Sequence, residues 1–146
     1  VEQVRAEILC QDRDEDELAA EVVKMRRRMR EHLLPNEDAK EGEFHLKQGT
    51  GGIVDIEFMV QYAVLAWSHR VPELVRWSDN VRILETLGRE GLFEQQECDA
   101  LTEAYLAYRS AAHQLSLQQQ PGVVPAERFR DLRAAVTAKW QQLFAS

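Results

Sequence analysis

Apolar residues recur along this chain at three- and four-residue intervals, the spacing that gathers side chains on one face of an α-helix. After residue 14 the apolar stripe consists of Leu18, Val22, Met25, Met29 and Leu33. In the last segment it consists of Phe129, Leu132, Val136, Trp140 and Phe144. A shorter stripe over residues 1–9 predicts a first helix. The pattern contains no internal repeat and predicts an all-α antiparallel bundle of five or six helices, a single domain over residues 1–146.

Short polar residues that suit helix N-caps set several predicted boundaries. Asp14 or Asp16 is expected to cap the second helix. Ser78 or Asp79 is expected to cap a later helix that runs to Leu87.

Two further segments complete the predicted bundle. A long helix is expected over residues 94–119. Pro125 is expected to open the last helix, because proline fits a first helical turn. Apolar and polar residues alternate over positions 44–47 and predict a short extended segment, which is too brief to define a sheet.

The most apolar predicted helix follows a glycine-rich turn at residues 47–52 and runs to about Arg70. Because it is apolar almost all round, we expect it to be the central, buried helix. Its turn has two interpretations. Gly51 and Gly52 either expose backbone N–H groups to an anion or allow close backbone packing where side chains would clash.

Two acids, Asp55 and Glu57, lie near the start of this central helix. Asp55 suits a free helix N-terminus, or it orients a basic residue or a metal-bound water beside a neighbouring active site. Glu57 is about 200° further round the helix, so the two acids do not form a catalytic pair. Glu57 shares a face with Gln61, and both are expected to meet polar partners across the bundle.

A basic run occupies the second predicted helix and comprises Lys24, Arg26, Arg27, Arg28 and Arg30. We expect Met25 and Met29 to carry the buried face of that helix, which leaves the charges on a solvated face. Arg26 and Arg30 lie one turn apart and have the spacing to bind phosphate oxygens together.

Polar groups surround a tryptophan in the segment that contains Arg76, Trp77, Asp79, Asn80 and Arg82. The segment suits a helix cap with a packed aromatic ring. It equally suits a partner interface, because Trp and Arg are enriched at interface hot spots.

Composition argues against several functions. A net charge of -7 argues against nucleic-acid binding, and no apolar run reaches the roughly 18 residues of a membrane helix. Cys10 and Cys98 lack metal-ligand spacing and predict reduced thiols of a cytosolic protein. The four histidines also lack ligand spacing, and no nucleophile has a recognisable base. We therefore predict no metal site and no catalytic residue in this chain.

The stretch from Lys47 to Phe58 resembles the signature of glutamine synthetase adenylyltransferase, a bifunctional enzyme that adds AMP to, and removes it from, a tyrosine of glutamine synthetase. The resemblance continues through Met25-Arg26, Met29-Arg30 and Gln61-Tyr62, and then through residues 76–85 and Trp140. Residues 53–57 lack the arginine typical of the first half of that enzyme and are similar to the second, adenylylating half. The chain starts without Met, and the resemblance implies a C-terminal helical fragment of that half.

This resemblance implies that a catalytic nucleotidyltransferase domain, with its Gly-Ser turn and Asp-x-Asp pair for Mg²⁺, lies outside the chain. The fragment would be inactive alone, within a cytoplasmic parent enzyme that uses ATP and Mg²⁺. Implied partners are that catalytic domain, glutamine synthetase and the PII signal protein, with glutamine as an effector. Residues expected at the domain seam or near the nucleotide are Lys47, Gly51, Gly52, Asp55, Arg26 and Arg30.

Two alternatives stay open. The bundle is a docking module for PII or glutamine synthetase with no active-site role, or it is the helical domain of a PII uridylyltransferase. The latter shares a glycine–glycine–acidic signature, and the segment from Trp77 to Asn80 argues against it.

Overall fold

The computed structural model describes residues 14–33 and 42–144. Its elements are α1 (Glu15–Leu33), β1 (Glu43–His45), α2 (Ile53–Trp67), a 3₁₀ turn (Pro72–Val75), α3 (Asn80–Arg89), α4 (Gln95–Leu117), β2 (Val123–Pro125) and α5 (Arg130–Phe144). The predicted all-α class is confirmed. The helix predicted over residues 1–9 lies outside the described residues.

The central position predicted for α2 is confirmed. Ten of its fifteen residues are buried, and the helix contacts α1, α3, α4 and α5. Its apolar side chains form the main core with residues of α3, α4 and β1. A smaller cluster, which includes Val22 of α1 and Tyr62 of α2, joins α1 to the same helix.

The predicted helix caps are also confirmed. The Asp14 carboxylate accepts from the N–H of Asp16 at 3.0 Å, and the Asp79 carboxylate accepts from the N–H of Val81 at 2.9 Å. A capping box between Glu94 and Glu97 begins α4. Asp14 and Asp79 therefore cap α1 and α3 as their side-chain chemistry predicts.

The prediction that Pro125 opens the last helix is wrong. Pro125 lies in β2, which pairs antiparallel with β1 and places Phe44 opposite Val124. Both of these residues are buried, so the ladder brings apolar side chains into the core. The last helix begins five residues later, at Arg130.

The buried face predicted for α1 needs a correction. Met25 is 59% exposed, whereas Arg26 is 1% exposed. Arg26 follows Val22 by one helical turn and therefore faces the core. A charged group can occupy that position only because the protein interior supplies it with partners.

Candidate functional site

The glycine turn packs its own backbone against the start of α2. The first N–H groups of the helix and turn donate to nearby carbonyls, Ile53 to Leu46 at 2.8 Å, Val54 to Lys47 at 3.1 Å and Gly52 to Gly49 at 2.9 Å. These donors are therefore occupied and are not presented to an anion. Close backbone packing, one of the two interpretations of the turn, is confirmed.

Side chains would not fit at these glycines. A Cβ at Gly49 would lie 2.5 Å from the His45 carbonyl oxygen, and one at Gly52 would lie 2.6 Å from the Leu46 carbonyl oxygen. Gly51 has φ of +81°, a conformation that favours glycine, and its α-carbon faces the backbone of Arg133. Gly49 therefore allows the turn to lie on β1, Gly51 allows it to lie on α5, and Gly52 allows the backbone of the turn to pack on itself.

Asp55 connects this turn to α1. Its carboxylate accepts from the Gly51 N–H at 2.8 Å, from Arg26 Nε at 2.5 Å and from Arg30 Nη2 at 3.3 Å. Asp55 is only 2% exposed. The acid at the helix start therefore has a structural task, which is to hold Gly51 and two arginines together.

Arg26 extends the same set of contacts to Gln48. Its two terminal nitrogens donate to the Gln48 side-chain oxygen at 2.9 Å and to the Gln48 carbonyl oxygen at 2.7 Å. We call Arg26, Arg30, Gln48, Gly51 and Asp55 the Asp55 network. All three guanidinium nitrogens of Arg26 donate inside the domain, so its side chain does not reach the surface.

Arg30 is the outer member of the Asp55 network. Its side chain is 36% exposed. Burial lowers the pKa of Arg30, while the neighbouring Asp55 acts in the opposite direction. Of the two arginines expected to bind phosphate together, the structure leaves only Arg30 partly accessible.

On the other side of the turn lies an open cleft of about 920 Å³. The end of β1, the first turns of α2, the second half of α4 and the loop before β2 form its walls. The charged or ionisable residues that line it are His45, Lys47, Glu57, Tyr105, Arg109 and His113. Glu57 therefore faces this cleft and Gln61 is exposed, so the polar partners expected for them across the bundle are absent among the described residues.

The segment around Trp77 divides into two parts. Asp79 caps α3, and the Asn80 side chain donates to the Tyr105 hydroxyl at 3.0 Å. The guanidinium groups of Arg76 and Arg82 lie 5.0 Å and 5.7 Å from the centre of the Trp77 ring. The structure thus gives Asp79 and Asn80 structural contacts, and it leaves the arginines exposed around the tryptophan.

Several residues of the site were not predicted from the sequence. Gln48 lacked any signal because its partner Arg26 lies on another helix. Arg133 of α5 donates to the Thr50 carbonyl oxygen at 3.2 Å. Arg109 and His113 follow Tyr105 at four-residue intervals on α4, a spacing that indicates one face.

Two further properties concern the described residues as a whole. In residues 14–33 and 42–144, no group of three or more His, Cys, Asp or Glu residues is placed to hold a metal ion. None of the helices there is both long and apolar enough to cross a membrane.

The fold and site define a class, an all-α domain whose central buried helix starts at a glycine turn tied to a neighbouring helix. Residues 22–142 match the family model described as GlnD PII-uridylyltransferase, and the chain belongs to that family.

Similar curated proteins are named bifunctional glutamine synthetase adenylyltransferase/adenylyl-removing enzyme. The protein of Acinetobacter baylyi is 50% identical over 97% of this chain and 16% of the relative. That of Pseudomonas aeruginosa is 48% identical over 97% of this chain and 15% of the relative. The predicted resemblance to glutamine synthetase adenylyltransferase is confirmed. The chain spans about one sixth of the length of these relatives.

Proposed function

We propose that the chain is the C-terminal helical regulatory domain of an enzyme that adenylylates glutamine synthetase with ATP and so controls nitrogen assimilation. In this proposal a nucleotidyltransferase domain outside the chain transfers AMP and binds ATP and Mg²⁺ in the cytoplasm. The names of the similar proteins and the small share of their length support it. The chain alone would be inactive.

The structural observation that supports a domain seam at the glycine turn is the exposed lysine on a fixed turn. The Lys47 side chain is exposed and has no hydrogen bond or ion pair with any described residue. Next to it, Gln48 is held by Arg26, and Gly51 is held by Asp55. A cation on a preorganised backbone suits a domain seam, because docking there orders little additional chain.

The described residues contain no cluster of side chains that could bind Mg²⁺. Both carboxylate oxygens of Asp55 already accept hydrogen bonds, from Arg26 and from the Gly51 N–H. We therefore assign no step of AMP transfer to this chain. Its role would be to position the catalytic domain through Lys47 and the glycine turn, with Arg30 as the partly accessible arginine on the opposite side of the turn.

Replacing Lys47 by Ala in the whole enzyme tests this seam. AMP incorporation into glutamine synthetase should fall about tenfold, which corresponds to about 1.4 kcal/mol of transition-state stabilisation. Lys24→Ala is the matched control, because Lys24 is an exposed lysine of α1 that does not line the cleft. Equal activity of the two variants would contradict the seam.

A second candidate function is docking of PII or glutamine synthetase, favoured by the exposed Arg76 and Arg82 around Trp77. Calorimetric titration of the chain with each protein, and with glutamine, tests it. Binding that is lost on Trp77→Ala would favour docking, and no binding to any of them would favour the seam alone.

The uridylyltransferase alternative needs a separate assay, since the matching family model carries that description. The whole enzyme would be offered ATP with glutamine synthetase, and UTP with PII. AMP transfer is the expected result, and transfer of UMP to PII would support the alternative.

A further inference from the structure

The cleft beside α2 collects charged and ionisable side chains, several of which lack partners in the described chain. Lys47, Glu57 and His113 make no side-chain hydrogen bond or ion pair with any described residue. The Arg109 guanidinium lies over the Tyr105 ring, 5.4 Å from its centre. By contrast, the buried Lys139 bonds to Glu97 at 2.8 Å. The cleft therefore differs from the interior, where charges are paired.

These side chains come from separate elements and converge on one concavity. Lys47 follows β1, Glu57 lies on α2, and Arg109 and His113 lie on one face of α4. A solvated helix face, such as the one that carries Arg27 and Arg28, draws its charges from a single element. Convergence from several elements is what a binding site requires.

The walls of the cleft are held in place by contacts behind them. The Tyr105 hydroxyl accepts from Asn80, and Gln48 accepts from Arg26. The Leu46 N–H donates to the Gly122 carbonyl oxygen at 3.0 Å and joins β1 to the loop before β2. The cleft is thus preformed, and its volume of about 920 Å³ is that of a small-molecule site.

The charges of the cleft select for a ligand of mixed charge. Lys47 and Arg109 are basic side chains in a chain of net charge -7, and they attract an anionic group. Glu57, which is half-buried, repels a simple anion and attracts a cationic donor. A ligand that carries both kinds of group satisfies all three side chains.

We propose that the cleft binds a small molecule that carries an anionic phosphate or carboxylate group and a protonated amine. Lys47 and Arg109 bind the anion, and Glu57 binds the amine. Gln48 and Ser116, which also line the cleft, supply further hydrogen bonds. The inference shares Lys47 with the proposed domain seam, but its experiments titrate the chain alone, so failure of the seam and failure of the ligand site can be told apart.

Calorimetric titration of the chain with three probes tests the ligand class. The probes are sulfate, which has only acceptor oxygens, O-phosphoethanolamine, which adds an amine to a phosphate, and γ-aminobutyrate, which adds an amine to a carboxylate. At least one amine-bearing probe should bind roughly tenfold more tightly than sulfate, as expected for one added charged hydrogen bond. The tighter of the two identifies the anionic group. The proposal would be overturned if neither amine-bearing probe bound more tightly than sulfate.

Two substitutions assign the residues. Arg109→Met should weaken all bound probes roughly fivefold or more, while the control Arg89→Met, on an exposed arginine of α3, should leave them unchanged. Glu57→Gln should weaken binding of the amine-bearing probe, because it removes an attraction for the amine. The same substitution should tighten binding of sulfate about twofold, because it removes a repulsion of the anion. A purely structural effect of Glu57→Gln would move both probes in the same direction, and that result would overturn the proposal. So would identical behaviour of the Arg109 and Arg89 variants.

Discussion

Asp55 and Glu57 are separated by one residue on α2, and their surroundings are opposite. Asp55 is buried and accepts hydrogen bonds from Gly51, Arg26 and Arg30. Glu57 faces the cleft without a partner among the described residues. The difference follows from the helical period, which turns the second acid about 200° from the first.

The comparison separates structural from functional chemistry at the glycine turn. The Asp55 network uses its charges to join α1, the turn and α2, so its buried members Arg26 and Asp55 are poor candidates for direct ligand contact. The cleft leaves its charges available. Substitutions in the Asp55 network should therefore cost stability, and those in the cleft should change binding.

The largest effect is expected from Asp55→Ala. It would leave Arg26, which is 1% exposed, as a buried cation without its carboxylate, and breaking such pairs costs about 3–5 kcal/mol. Urea unfolding of the chain measures the loss in the free energy of unfolding. A loss as small as that of an exposed substitution would remove the Asp55 network from the account.

Gly52→Ala is expected to cost less, about 1–3 kcal/mol, as overpacking does. The added Cβ would lie 2.6 Å from the Leu46 carbonyl oxygen and 2.9 Å from that of Gly49. Gly122→Ala is the matched control, because nothing lies within 4 Å of its added Cβ. Thermal unfolding should separate the pair, and equal midpoints would show that the turn is not closely packed.

Arg30→Met should have a smaller effect, about 1 kcal/mol or less, as for exposed ion pairs. Its guanidinium lies 3.3 Å from Asp55, and the side chain is 36% exposed. Increasing salt should weaken this contribution more than that of Arg26. Unfolding at low and high ionic strength checks both statements, and a loss equal to that of Asp55→Ala would contradict them.

Glu57→Gln should change the free energy of unfolding least, within about 0.5 kcal/mol, because it removes no protein contact. The same variant is expected to change cleft selectivity. A large loss of stability would show that Glu57 belongs to the fold and would contradict the comparison with Asp55.

The sequence revealed those parts of the fold that depend on local pattern. Its apolar run identified α2 as the central helix, and Asp79 marked the start of α3. Pairing of residues 43–45 with 123–125 could not be predicted, since it joins segments about eighty residues apart through backbone groups. That pairing, rather than any local signal, keeps Pro125 out of the last helix.

The site was predicted less completely than the fold. The sequence indicated the glycine turn, and it left the role of Asp55 open. Helical periodicity treated Met25 as buried and Arg26 as solvated, because hydrophobicity says nothing about a partner on another helix. Arg109 and His113 could not be predicted as cleft residues, because only the packing of α4 in the fold brings them to the cleft beside the turn. The seam residues remain predictions.

The coupling between Arg26 and Asp55 tests the central claim most directly. Unfolding free energies of Arg26→Met, Asp55→Ala and the double variant form a cycle, and residues in one buried network couple by about 0.5–3 kcal/mol. We predict a coupling near the upper end of that range, with the double variant more stable than the sum of the two losses implies. Additive losses would contradict the conclusion that Asp55 and Arg26 act as one structural unit.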